Sequence, residues 1–130
     1  MSAMKAASPM IPKIRTVLLA LAIILTGAAA ASAHVVLKSA DPPVGSAVSV
    51  APREVRLVFS EALEPAFSRA QVVGPDGQRV DIGSRVDPAA PNVLRVALRP
   101  LVAGSYRVVW RVVSTDTHVT SGNFTFTVGG

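Results

Sequence analysis

The sequence has two histidines, and both stand where an imidazole is free to do chemistry. His34 directly follows the small residues "ASA" at 31–33, and His118 lies in "STDTHVTSG" with Asp116 two positions before it. In a locally extended segment, side chains at i and i+2 point the same way, so Asp116 and His118 would converge on one target. The chemistry this suggests is metal ligation. A histidine that begins a mature chain offers a free α-amine and its ring Nδ1, which close one chelate ring on an ion. With the His118 imidazole and an Asp116 oxygen, the set is three nitrogens and one oxygen, a donor set that suits tetragonal Cu(II). No cysteine is present, and Met1, Met4 and Met10 all precede residue 33, so no sulfur donor is left to favour Cu(I). An Asp-x-His pair is common without a metal, and a histidine after a small-residue run is weak alone. The reading rests on the two histidines occupying the two places the chelate requires.

The α-amine is available only if the chain is cut before His34. Residues 1–33 read as a secretory signal peptide that is cleaved. Lys5, Lys13 and Arg15 form a basic start, "TVLLALAIILTG" is the apolar run, and Ala31 and Ala33 give the A-x-A pattern. The run is short of the roughly 20 residues a membrane span needs. An uncleaved N-terminal anchor is the other reading, because "AAAASA" extends the run. Cleavage leaves residues 34–130 as one small domain of 97 residues, the 130 of the chain less the 33 of the leader. Three of the 13 Lys and Arg leave with the leader, so ten face the eight Asp and Glu and the mature net charge is +2. The basic residues are spread singly, without a basic run or interleaved aromatics, which argues against nucleic-acid binding. A mature domain of this kind is expected to be monomeric and not to insert in a membrane.

The elements that must position the ligands read as strands separated by turns. "HVVLKS" is a first short strand, and the Pro- and Gly-rich "ADPPVGSAVSVAPR" reads as turns. "EVRLVFS" alternates Val55, Leu57 and Phe59 against Arg56 and Val58. "ALEPAFS" is a loop or one helical turn. "RAQVVGPDGQRVDIG" is two short strands about "GPDG". "NVLRVALR" places Leu94, Val96 and Leu98 inward. "GSYRVVWRVVS" does the same with Tyr106, Val108, Trp110 and Val112, and "NFTFTV" with Phe124, Phe126 and Val128. Seven short strands at regular spacing predict an all-β fold, a Greek-key antiparallel sandwich, with the aromatics in its core.

"AHVVLKSADPPVGSAV", "VRLVFSEALEPAFS" and "AGSYRVVWRVVSTDTHVTSGNFTFTV", in that order, resemble the CopC/PcoC family of periplasmic copper-resistance proteins across essentially all of residues 34–130. The most specific stretch is W-R-V-V-S-x-D-x-H-x-x-x-G-x-x-x-F-x-V, present at Trp110, Arg111, Val112, Val113, Ser114, Asp116, His118, Gly122, Phe126 and Val128. The resemblance implies a seven-stranded cupredoxin-like or immunoglobulin-like sandwich or barrel. It also implies one Cu(II) per chain, held by His34, Asp116 and His118. The glutamate of the family's F-S-E matches Glu61, implied to be an outer ligand or to sit just behind the ligands. Some members carry a second, Met-rich Cu(I) site in a mid-chain loop. The matching "VVGPDGQRVDIGSRVDPAAPN" has neither Met nor His, so a single Cu(II) site is expected.

The function so implied is non-enzymatic: copper resistance by sequestration in the periplasm, or delivery to a CopD-like inner-membrane copper transporter. Two other classes stay open at this point. A histidine-brace copper oxidase or monooxygenase also uses an N-terminal histidine, but it needs an open coordination position and a substrate face. Here Tyr106 and Trp110 fall on the core side of their strand. A metal-free β-sandwich interaction module fits if any residue precedes His34 in the mature chain.

Overall fold

A computed structural model describes residues 34–129. The leader reading falls on residues 1–33, outside the described residues. Within 34–129 the strands are β1 (Leu37–Asp41), β2 (Ala47–Val48), β3 (Glu54–Phe59), β4 (Arg69–Val73), β5 (Asp81–Asp87), β6 (Ala90–Leu98), β7 (Gly104–Val113) and β8 (Val119–Val128). A 3-10 turn at Pro65–Phe67 is the single helical turn expected in "ALEPAFS". The strands form two four-stranded sheets, β1-β3-β6-β5 and β2-β8-β7-β4. Only β5–β6 and β7–β8 are sequence-adjacent partners within one sheet. The chain otherwise crosses between sheets, which is the connectivity of a Greek-key sandwich.

Eight strands replace the expected seven. The extra one is the two-residue β2, which pairs in parallel with the end of β8 through Ala47–Thr127 and Val48–Val128. It lies in the Pro- and Gly-rich stretch that reads as turns. Two residues are too few to show an alternating pattern, and only the exposed edge of β8 makes them a strand. The first strand also begins later than expected, at Leu37 rather than His34, which leaves His34 on an unpaired lead-in. Val35 in that lead-in is fully buried and anchors it to the core.

The alternating residues of the sequence form one core between the sheets. Val55, Leu57, Phe59, Leu94, Val96, Tyr106, Val108, Trp110, Val112, Phe124, Phe126 and Val128 are all buried. Phe59 meets Trp110 edge to face with ring centroids 5.1 Å apart, and Tyr106 stacks on Phe126 at 5.5 Å. Both separations lie in the favoured range for aromatic pairs. The Tyr106 hydroxyl donates to the Val102 carbonyl at 2.6 Å, so its polar end is satisfied. Trp110 is paired across the β7–β8 ladder with Gly122. A Cβ at Gly122 would run into the indole ring, which explains a glycine inside a core strand.

One carboxylate lies in this interior. The Asp81 side chain is wholly buried and its Oδ1 accepts the Val72 N–H at 2.9 Å, while Arg79 Nη2 donates to Oδ2 at 2.7 Å. Burial alone would raise its pKa. The Arg79 and Val72 hydrogen bonds together outweigh burial and hold the carboxyl below its ordinary value. A depressed folded pKa adds stability above the unfolded value of about 3.9, and that stability is lost as pH falls through the folded pKa. Arg79 is largely exposed, so its share is screened. Asp81→Ala leaves the Val72 N–H without a partner and is expected to cost about 1–3 kcal/mol at neutral pH. The gap between the thermal melts of the two forms should start to narrow as pH falls below about 4. A gap that persists unchanged at low pH would show that the carboxylate charge is not what stabilises.

Candidate metal centre

Strands β7 and β8 place the motif residues. Their ladder ends at the pair Val113–Val119, and residues 114–118, "STDTH", reverse the chain. The segment is a turn rather than the extended stretch expected from the sequence, because the hairpin must close there. Thr117 N–H donates to the Ser114 carbonyl at 2.9 Å and Thr117 takes φ 71, a left-handed conformation uncommon for a β-branched residue. Asp116 and His118 nevertheless converge as expected. Asp116 Oδ2 lies 3.5 Å from His118 Nδ1.

The residue that makes them converge is Ser114. It is fully buried. Its hydroxyl donates to Asp116 Oδ1 and accepts the His118 N–H at 3.1 Å. Its own N–H donates to the His118 carbonyl at 2.9 Å. Ser114 stands within the sequence motif, where no role is assigned to it. A serine two residues before an aspartate in a hairpin loop is the signal that could have found it, since serine and aspartate side chains compete for local backbone groups. The Ser114 hydroxyl holds the Asp116 carboxyl below its ordinary range. Partial burial opposes this, and the neighbouring imidazole adds to it.

Glu61 and His34 reach the same end of the sandwich through the segment after β3. Leu63 bridges Ser114, Thr115 N–H donates to the Ala62 carbonyl at 3.0 Å, and Glu64 N–H donates to the Val113 carbonyl at 2.7 Å. Ligand atoms of Glu61, Asp116 and His118 all lie within 4.8 Å of one another. Ser60 ties in the N-terminal lead-in. Its hydroxyl accepts the Val36 N–H, and its N–H donates to the Val36 carbonyl, both at 2.9 Å. The exposed His34 ring then sits with its centroid 6.0 Å from that of His118. One ion bonded to a nitrogen of each ring can span such a gap, at about 2 Å per metal–nitrogen bond. His34 is thus beside the three-residue group rather than inside it.

The electrostatics fit a cation. Two carboxylates this close repel unless a positive charge or a shared proton lies between them. His118 Nδ1 is shielded from solvent and has no hydrogen-bond partner, although Asp116 stands nearby. A buried nitrogen without a partner is costly, and a metal ion would satisfy it.

The CopC domain model matches residues 37–129 of the sequence. The chain belongs to the CopC family. It is 42% identical over 119 residues to copper resistance protein C of Escherichia coli, covering 81% of this chain and 94% of that protein. The crystal structure of CopC from Methylosinus trichosporium OB3b superposes with a TM-score of 0.69 at 34% identity, covering 73% of this chain and 93% of that one. The copper transport protein CutJ of Bacillus subtilis is 30% identical over 99 residues, which are 75% of this chain and 18% of that protein. Two of these relatives are named for copper resistance or copper transport, and the β-sandwich is the CopC fold. Copper is the metal this centre is to be tested with.

Ser114→Ala removes the acceptor of the His118 N–H and the donor to Asp116 at once. The expected outcome is a loss of about 1–2 kcal/mol in stability and a drop of about tenfold or more in copper affinity. Denaturant unfolding and copper titration of the same sample check both. Unchanged copper affinity would mean that Asp116 and His118 need no support from beneath.

Proposed function

We propose that this chain is an exported, non-enzymatic Cu(II)-binding protein that takes one ion per mature chain. The proposed ligands are the α-amine and Nδ1 of His34, a carboxylate oxygen of Asp116 and the imidazole of His118, with Glu61 as an outer ligand. The observation that carries this is the unpartnered, shielded Nδ1 of His118 among two carboxylates, with the second imidazole beside it. Membership of the CopC family supplies the metal. The oxidation state follows from the donors, which are nitrogen and oxygen only among residues 34–129.

The proposal includes maturation after Ala33, since only that frees the His34 amine, and so places the protein on the outer side of the inner membrane, in the periplasm. There it would sequester copper or pass it to a CopD-like inner-membrane transporter. The delivery reading draws support from CutJ, in which a CopC-like stretch is a minor part of a longer protein named for copper transport. A monooxygenase reading has less to stand on, because Tyr106 and Trp110 are 1% and 8% exposed and offer no aromatic substrate face.

Intact-mass measurement of the exported protein with one equivalent of Cu(II) tests the core of the proposal. Chains beginning at His34 and carrying one copper are expected. Two tightly held coppers, or a preference for Cu(I), would overturn it. The decisive variant adds one glycine before His34, which keeps the imidazole and displaces the amine. Affinity should then fall steeply, comparably to His118→Ala, whereas Asp116→Asn should cost less because an oxygen remains. Affinity should also decline with acid, because protons compete with copper for the imidazole and amine nitrogens. Equal affinity of the extended and native forms in a copper titration would exclude the amine.

A further inference from the structure

The two sheets carry charge very differently. On the β1-β3-β6-β5 sheet, arginines and acids are interspersed, and Arg95 is bonded to both Glu54 and Asp87. On the β2-β8-β7-β4 sheet, none of the four strands contains an Asp or Glu, yet Arg69, Arg107 and Arg111 all stand exposed. Among the described residues none of the three has an ion-pair partner. Arg69 and Arg111 are moreover direct cross-strand partners, and Ser121 is next in the same row. Like charges directly opposite destabilise a sheet. Arg69 alone could serve to protect the edge strand β4 from mispairing. Arg107 and Arg111 lie on β7, which is interior and needs no such protection.

A cleft of about 670 Å³ opens at this row, lined by the polar Arg69, Gln71, Arg79, Ser84, Arg111 and Ser121 together with three apolar residues, Trp110 among them. Each of the six polar side chains can donate a hydrogen bond, and no carboxylate lines the cleft. The row lies two residue pairs from Val113–Val119, where the hairpin turns into the metal centre.

We propose that the outer face of the β2-β8-β7-β4 sheet is the docking surface for an acidic polypeptide partner, with a partner carboxylate seated in the cleft beside Arg69 and Arg111. The guanidinium fork matches carboxylates in two parallel hydrogen bonds. Arg107 and Arg111 are held on one strand about 14 Å apart, at about 3.4 Å per residue, a fixed spacing that suits a folded or extended acidic chain. An anionic lipid surface is a poorer match. Membrane-binding clusters carry about 4–8 basic residues at about 1 kcal/mol each, and with Arg79 already paired to Asp81 the three unpaired arginines are too few. The proposal rests on the delivery reading above for its purpose, and it places the partner at the rim of the metal centre.

The test titrates a fluorescent oligoglutamate peptide and, separately, phosphatidylglycerol vesicles. Native protein should bind the peptide in a salt-sensitive manner and the vesicles weakly. Arg69→Gln/Arg111→Gln should weaken peptide binding about tenfold or more, and Arg56→Gln/Arg85→Gln on the opposite sheet should change it less than about twofold. Copper titration of Arg69→Gln/Arg111→Gln reads the metal centre separately and should match native protein. The proposal is overturned by equal losses in the two double variants, by tighter binding to vesicles than to peptide, by no peptide binding at all, or by a parallel loss of copper.

Discussion

Ten consecutive residue pairs, from Gly104–Val128 to Val113–Val119, join β7 to β8. Side chains alternate across a strand, so this one register decides which residues of both strands face the other sheet. It places Tyr106, Val108, Trp110 and Val112 inside together with Phe124, Phe126 and Val128. A slip by one residue would turn the whole set outward, and the buried area would be lost. The same register leaves five residues to reverse the chain. The position of Asp116 and His118 is therefore a consequence of core packing many residues away.

A hairpin alone gives a loop, and a loop alone is a loose support for ligands. What fixes this one is the segment from Ser60 to Ser68, which is hydrogen-bonded on both sides. It meets the N-terminal lead-in at Val36, the hairpin loop at Ser114 and Thr115, and the end of β7 at Val113. Three stretches far apart in sequence are thereby brought to one end of the sandwich. These bonds use backbone groups and the hydroxyls of Ser60 and Ser68, so the other side chains at the surface of this end are left free for other work. His34, Glu61, Asp116 and His118 are the side chains so freed.

How much of this the sequence reveals depends on whether a signal repeats. The strands β3, β6, β7 and β8 are legible with their inward faces, because each carries three or more alternating apolar residues. The convergence of Asp116 and His118 is legible from their spacing, although the extended geometry inferred for it is replaced by a turn. β2 is not legible, since two residues have no period. The role of Ser114 is hidden as well, because a buried serine looks like any loop serine until its partners are known. The place of Glu61 is reached only through resemblance, since its nearness to Asp116 depends on long-range backbone bonds that leave no local trace. The burial of Asp81 is hidden for the same reason. No pattern in "QRVDIG" marks it as interior, and the Val72 N–H that it accepts lies on another strand.

A metal centre at the rim of a sandwich faces two demands that conflict. Ligands must be exposed for copper to arrive and leave, and they must be held still for it to bind. Burying the ligands would serve the second demand and defeat the first, since a buried charge without a partner is costly. The fold separates the demands by residue. Ser114 points inward, is wholly enclosed, and touches both Asp116 and His118. Asp116 and His118 keep about half and about two-fifths of their side-chain surface open, although the His118 Nδ1 itself is shielded. A hydroxyl is small enough to be enclosed and can donate and accept at once, so one buried group orders two exposed ones. Neither alanine, which cannot bond, nor aspartate, which would bring a second buried charge, could take its place.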